Sequence, residues 1–151
     1  MASRKIADIM SHGCVTVTPQ DNIYEAAVKM RDHDIGFVPV VESEGSDKLI
    51  GVITDRDLVV RGYADKHSGS TSVMEVLTRD VETIGSDTSV DEAAARMAAG
   101  QIRRLPVVDG GRLKGVVSLG DLAVREIFVN EAGVALSDIS EHTHTEQQMT
   151  H

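Results

Sequence analysis

The apolar positions of this chain fall into the same short patterns twice. Ile23, Ala26, Ala27 and Met30 stand at i, i+3, i+4 and i+7, the spacing of one face of an α-helix. Val90, Ala93, Ala94 and Met97 repeat that spacing 67 positions later. A polar start signal precedes each run: Asn22 with Glu25, and Ser89 with Glu92, at the interval of a capping box. A β-branched run follows, Gly36 to Val41 in the first copy and Arg103 to Val108 in the second. Further strands are predicted at Leu49–Ile53 and at the matching Gly115–Ser118. Pro39 removes a ladder donor, which predicts a strand start or an edge at its end of the run. Asp109-Gly110-Gly111 is a tight hairpin signal. Cys14–Val17 reads as a short extended piece, and a last helix is predicted through Asp57–Val60 and again from Asp121 to Phe128.

The offset between the copies is 67 positions through Val38/Leu105 and 64 from Gly51/Gly115 onward. Three residues are therefore lost where Glu42–Lys48 is replaced by the shorter Asp109–Arg112, the place where a loop absorbs a length change. The chain divides into a first repeat at 6–62, a polar linker at 63–72, a second repeat at 73–128 and a polar tail at 129–151. Each repeat has the order strand, helix, strand, strand, helix, so the expected class is α+β. Neither copy alone has enough apolar residues for a secure core, so the two should be packed on each other.

Composition narrows the chemistry. Aromatic residues make up 3% and Trp is absent, so the core must be aliphatic. A formal net charge of −9 opposes broad nucleic-acid binding, which needs a basic footprint. Cys14 is the single cysteine and cannot form an internal disulfide, which fits a reducing compartment. No apolar run approaches the ~18 residues of a membrane span, and the N-terminus lacks a signal peptide's apolar stretch. A cytoplasmic protein is expected. His12, His33 and Cys14 form no recognisable nucleophile–base–orienter grouping, so no catalytic residue, cofactor or metal is assigned. His142, His144 and His151 belong to the tail, where they read either as a metal-binding tract or as a frayed terminus.

The repeat resembles the CBS domain, named after cystathionine β-synthase. The residues that carry the resemblance are Ile9-Met10, Ala26-Ala27, Gly36–Val41 and Gly51-Val52-Ile53-Thr54-Asp55-Arg56-Asp57 in copy one. In copy two they are Val76-Leu77, Ala93-Ala94, Arg103–Val108 and Gly115-Val116-Val117-Ser118-Leu119-Gly120-Asp121. The chain is similar to stand-alone bacterial hypoxic-response and stress-related CBS proteins, through His33-Asp34-Ile35-Gly36 and Thr54–Asp57. The resemblance implies a pseudo-twofold pair of repeats with two clefts between them. It also implies a ligand such as AMP, ADP, ATP or S-adenosylmethionine, a sensing rather than a catalytic role, and a homodimer. The helices led by Ile23 and Val90 and those at Leu58 and Leu122 are the expected dimer surfaces. The regulated partner is unknown. A ligand-independent dimerisation or docking module is the rival reading.

The same resemblance implies the site. One cleft has Ser118, Gly120 and Asp121, with Thr16, Gly36, Phe37, Val38 and Pro39 from the other copy. The second has Thr54, Arg56 and Asp57, with Thr83, Ile102, Arg103, Arg104, Leu105 and Pro106. A carboxylate can accept both hydroxyls of a ribose, and aliphatic walls can cover adenine. The Ser/Thr-x-x-Asp spacing is equally that of a helix cap, so both roles stay open for Thr54, Asp57, Ser118 and Asp121. Arg103-Arg104 offers planar, bidentate donors to phosphate or is a solvated pair. The first copy has uncharged Gly36 and Phe37 at those positions. The Ser118/Asp121 cleft, with the two arginines at the phosphate, is therefore expected to bind the nucleotide more tightly.

Overall fold

The computed structural model describes residues 4–122. The remainder of the helix predicted from Asp121 to Phe128 and the histidine-containing tail lie outside the described residues. Helix α1 (Ile23–His33) opens on a reciprocal cap: Glu25 N donates to Asn22 Oδ1 and Asn22 N to Glu25 Oε1, each at 2.8 Å. It buries Ile23, Ala26 and Met30. Ala27, expected on that face, is exposed, so the apolar stripe is narrower than the pattern predicts. Strands β1 (Phe37–Val41) and β2 (Leu49–Thr54) pair antiparallel, with a bulge between Val40 and Val41. A three-residue helix α2 (Asp55–Asp57) continues as a π-helical stretch, Leu58–Tyr63. Copy two repeats the plan. Helix α3 (Val90–Gly100) buries Val90, Ala93 and Met97. Strands β3 (Arg104–Asp109) and β4 (Arg112–Ser118) pair antiparallel with the bulge at the equivalent Val107/Val108. Their turn is Gly110-Gly111, with φ of +59° and +80°, a backbone that favours glycine at both positions.

The prolines stand inside their strands, not at a start: Pro39 faces Val52 and Pro106 faces Val116. The edge they create is lateral. Val17 N donates to Pro39 O at 3.1 Å and Val41 N donates to Val17 O at 2.9 Å. The next donor along that side of β1 would be the N–H of residue 39, which proline lacks. The predicted strand at Cys14–Val17 accordingly shrinks to one parallel bridge, Val17 to Val40. Ile84 does the same against Val107, through Pro106 O at 3.2 Å and Val108 N at 2.8 Å.

The repeats exchange their opening segments. Ser11 and Val116 trade backbone hydrogen bonds at 2.9 and 3.1 Å, which seats the start of copy one on β4. Thr78 and Val52 trade bonds at 2.8 and 2.9 Å, which seats the start of copy two on β2. The cores follow that exchange. Val73, Val76 and Leu77 complete a cluster otherwise made by copy one, including Val17, Ile23, Val38 and Ile53. Ile6, with Ile9 and Met10 packed beside it, completes a cluster made by copy two, including Ile84, Val90, Leu105 and Val117. Arg112 also donates to Asp47 at 2.8 Å across the repeats. This ion pair holds the Asp47 carboxyl below its ordinary range and raises the Arg112 guanidinium.

Candidate functional site

The repeat plan brings each Ser/Thr-x-x-Asp signature to the end of a strand, beside the opening segment of the other copy. Both signatures act as caps. Asp57 N donates to Thr54 Oγ1 and Thr54 N to Asp57 Oδ2, each at 3.0 Å. Asp121 N donates to Ser118 Oγ at 3.0 Å and Ser118 N to Asp121 Oδ2 at 3.3 Å. The helix-cap role is thus present in both copies, and it leaves a carboxylate oxygen over for other work.

The two carboxylates use that oxygen differently. Asp57 is 7% exposed, and Thr78 Oγ1 lies 3.1 Å from both of its oxygens. The equivalent of Thr78 in the opening segment of copy one is Ser11. Among the described residues, the Ser11 hydroxyl makes no hydrogen bond and nothing donates to Oδ1 of Asp121. Asp57 is therefore engaged by the other repeat, whereas among the described residues Asp121 meets only its cap partner Ser118.

A cavity of about 400 Å³ opens at Asp121, within the range of small-molecule sites. Phe37, Pro39, Arg104, Ser118 and Asp121 line it together with Ser11–Val15, His33, Ile35 and Val116. A second cavity, of about 710 Å³, is lined by Gly36, Asp55, Arg103, Arg104, Ser118, Leu119 and Gly120. Arg104 and Ser118 belong to both walls. Apolar Ile35, Phe37, Pro39 and Val116 with the Asp121 carboxylate suit a nucleoside in the first. The two exposed arginines suit an anion in the second.

Several expected residues are not on the walls of these two cavities. Thr16, Thr54, Arg56, Asp57, Thr83, Ile102, Leu105 and Pro106 line neither of these cavities. Val38 and Leu105 spend their side chains in the two cores, so only their backbones could meet a ligand. The Thr83 carbonyl accepts from Arg96 Nη2 at 3.0 Å. Arg56 is exposed, and its N–H donates to Asp55 Oδ1. In the other direction, the reading of the sequence passed over Ser11, Gly13, Val15 and Asp55, and considered His12, Cys14 and His33 only as catalysts. Burial pushes the Cys14 thiol above its ordinary range, against a smaller opposing backbone hydrogen bond, which disfavours a reactive thiolate. Among the described residues no cluster of three metal-ligating side chains occurs, and no helix is long and apolar enough to cross a membrane.

The sequence and the fold are similar to those of known proteins. The CBS domain profile matches residues 6–62 and 73–126. Protein YlbB of Bacillus subtilis (strain 168) is 44% identical over 147 residues, covering 97% of this chain and 99% of its own. Hypoxic response protein 1 of Mycobacterium tuberculosis (strain H37Rv) is 36% identical over 117 residues, 77% of this chain and 80% of its own. The crystal structure of the CBS domain pair of protein MJ0100, in complex with 5′-methylthioadenosine and S-adenosyl-L-methionine, superposes with a TM-score of 0.71 at 30% identity. It covers 85% of this chain and 98% of that one.

Proposed function

The chain belongs to the CBS-domain family as a tandem pair of repeats, and from that premise we propose that it is a regulatory module that binds an adenosine ligand and catalyses no reaction. The ligand is AMP, ADP, ATP or S-adenosylmethionine, and the module works in the cytoplasm as a homodimer. Residues 6–62 and 73–128 are its two repeats. The observation that carries this reading is the cleft at Asp121. A carboxylate whose Oδ1 meets no donor among the described residues stands on the wall of a cavity of about 400 Å³, which shares Arg104 and Ser118 with a second cavity containing Arg103. In this reading Asp121 accepts the ribose hydroxyls, Ser118 lies between ribose and phosphate, and Arg103 with Arg104 meets the phosphate. Ile35, Phe37 and Pro39 cover the base. The ligands named for the MJ0100 pair, both built on adenosine, support the same class. The Thr54/Asp57 cleft is the weaker site, because Thr78 already occupies its aspartate.

The homodimer reading is supported by exposed apolar side chains on α1 and on the stretch Leu58–Tyr63. Tyr24, Val59, Val60 and Tyr63 are 64%, 60%, 45% and 83% exposed, and a second copy of the chain would cover them.

Isothermal titration with adenosine, AMP, ADP, ATP, NADH and S-adenosylmethionine tests the ligand. Asp121→Ala is expected to weaken every adenosine ligand about tenfold or more, the value of one charge-assisted hydrogen bond. Arg104→Ala should weaken ADP and ATP more than adenosine. Circular dichroism must show both variants folded, since Asp121 also caps a helix. Wild-type affinity in folded Asp121→Ala overturns the site. Absence of heat with every ligand overturns the sensor reading and leaves the ligand-independent docking module. Light scattering on the same samples should give the mass of two chains, and a monomer at micromolar concentration removes the dimer.

A further inference from the structure

The second cavity carries a charge pattern that the repeat symmetry does not require. Gly36 and Arg103 are 67 positions apart, and Asp55 and Leu119 are 64 apart, the two offsets of the repeat. All four line this cavity. Their backbones also match, since Asp55 N donates to Gly36 O at 3.0 Å and Leu119 N to Arg103 O at 2.7 Å. The cavity therefore lies where the two repeats meet about their pseudo-twofold axis. The side chains break the symmetry: copy one supplies a glycine and a carboxylate, and copy two supplies a guanidinium and a leucine.

Asp55 is held in place there. Its Oδ1 accepts the N–H of Arg56 at 2.8 Å. Its carboxylate lies over Gly36, where a Cβ would stand 2.6 Å from Oδ2, so the absence of a side chain at residue 36 makes room for it. Among the described residues Asp55 forms no ion pair with Arg103 or Arg104. Two guanidinium groups and one carboxylate thus share about 710 Å³, leaving one net positive charge.

We infer that Asp55 is a specificity-determining residue that limits the length of the phosphate tail this cleft accepts. The inference rests on the adenosine reading above. A ribose held at Asp121 directs its phosphate past Ser118 and Arg104 into the second cavity, because those two residues line both. The first phosphate meets the arginines. Each further phosphate adds a negative charge while the supply of cations stays fixed and a carboxylate shares the space. Across a cavity of this size a like charge is worth roughly fivefold in affinity or more at the effective dielectric of a protein surface. The site is thereby matched to a short tail.

Titration of AMP and ATP in EDTA, which keeps the phosphates free of metal, tests this on the wild type and on Asp55→Asn, with Asp55→Ser as a second neutral replacement. The expected result is that either substitution improves ATP binding relative to AMP binding about fivefold or more. A ratio that stays within about twofold of the wild type in both variants overturns the inference while leaving the adenosine site intact. Tripolyphosphate and inorganic phosphate, followed by NMR titration, separate the two readings. If no adenosine ligand binds the wild type, the adenosine reading fails. The role of Asp55 still stands if Asp55→Asn strengthens tripolyphosphate more than phosphate, and falls if the two gain equally.

Discussion

At the scale of single residues, what distinguishes the two clefts is the hydroxyl opposite each aspartate. Thr78 donates to Asp57, whereas among the described residues Ser11, its equivalent, makes no hydrogen bond to Asp121. A buried carboxylate that loses its donor bears a desolvation penalty. Thr78→Val, nearly isosteric, is therefore expected to destabilise the protein by about 1–3 kcal/mol, read as a lower urea midpoint with an unchanged slope. Ser11→Ala should shift it little. Equal midpoints for Thr78→Val and wild type would show that Asp57 does not depend on that donor. The spacing of Ser118 with Asp121 and of Thr54 with Asp57 made both a cap and a ligand role legible from sequence, and the arginine pair was legible as a possible cation site. The Thr78 contact was not, because Asp57 and Thr78 belong to different repeats and nothing local connects them. Asp55 was hidden for the same reason: the arginines that share its cavity come from copy two.

At the scale of elements, the helices and hairpins were readable because each obeys a local rule. Asn22 and Ser89 cap where expected, and Gly110-Gly111 turns where expected. What escaped is what one element demands of another. Cys14–Val17 has strand residues, but Pro39 withholds the donor that would extend its pairing. Gly115 belongs to the signature of the resemblance, yet its reason is packing: a Cβ there would collide with Ser11 O and meet Met10 Sδ at 3.0 Å. At Gly51 it would meet Thr78 O at 2.6 Å. These glycines let the exchanged segments lie against β4 and β2. Gly115→Ala is expected to cost about 1–3 kcal/mol through overpacking against backbone that cannot yield, measured by denaturant unfolding. Gly120→Ala, whose Cβ would find only Ser118 Oγ, at 3.8 Å, among the described residues, is the control. A Gly115→Ala variant as stable as that control would mean that the opening segment moves aside freely.

At the scale of the whole molecule, the exchange makes the two repeats one folding unit. The first core contains Val73 and Val76, each fully buried, although both belong to the second repeat; the second contains Ile6, also fully buried, from the first. Burying one such side chain is worth about 1.5–3 kcal/mol, while an entire domain is typically stable by only about 5–15 kcal/mol. If one repeat unfolded, the other would lose either Val73, Val76 and Leu77 or Ile6 with the partly buried Ile9 and Met10, together with the backbone bonds that Ser11 or Thr78 makes to its sheet. That loss is comparable to its total stability, so a half-folded state should not accumulate. The chain is expected to melt in a single calorimetric transition, with van't Hoff and calorimetric enthalpies in agreement. Ile6→Ala supplies the decisive comparison, because it sits in the chain segment of one repeat and the core of the other. Removing its side chain should cost about 2–5 kcal/mol and move that single transition to lower temperature as a whole. Two resolved transitions, or an Ile6→Ala variant in which only half of the enthalpy shifts, would show that the repeats are stable separately.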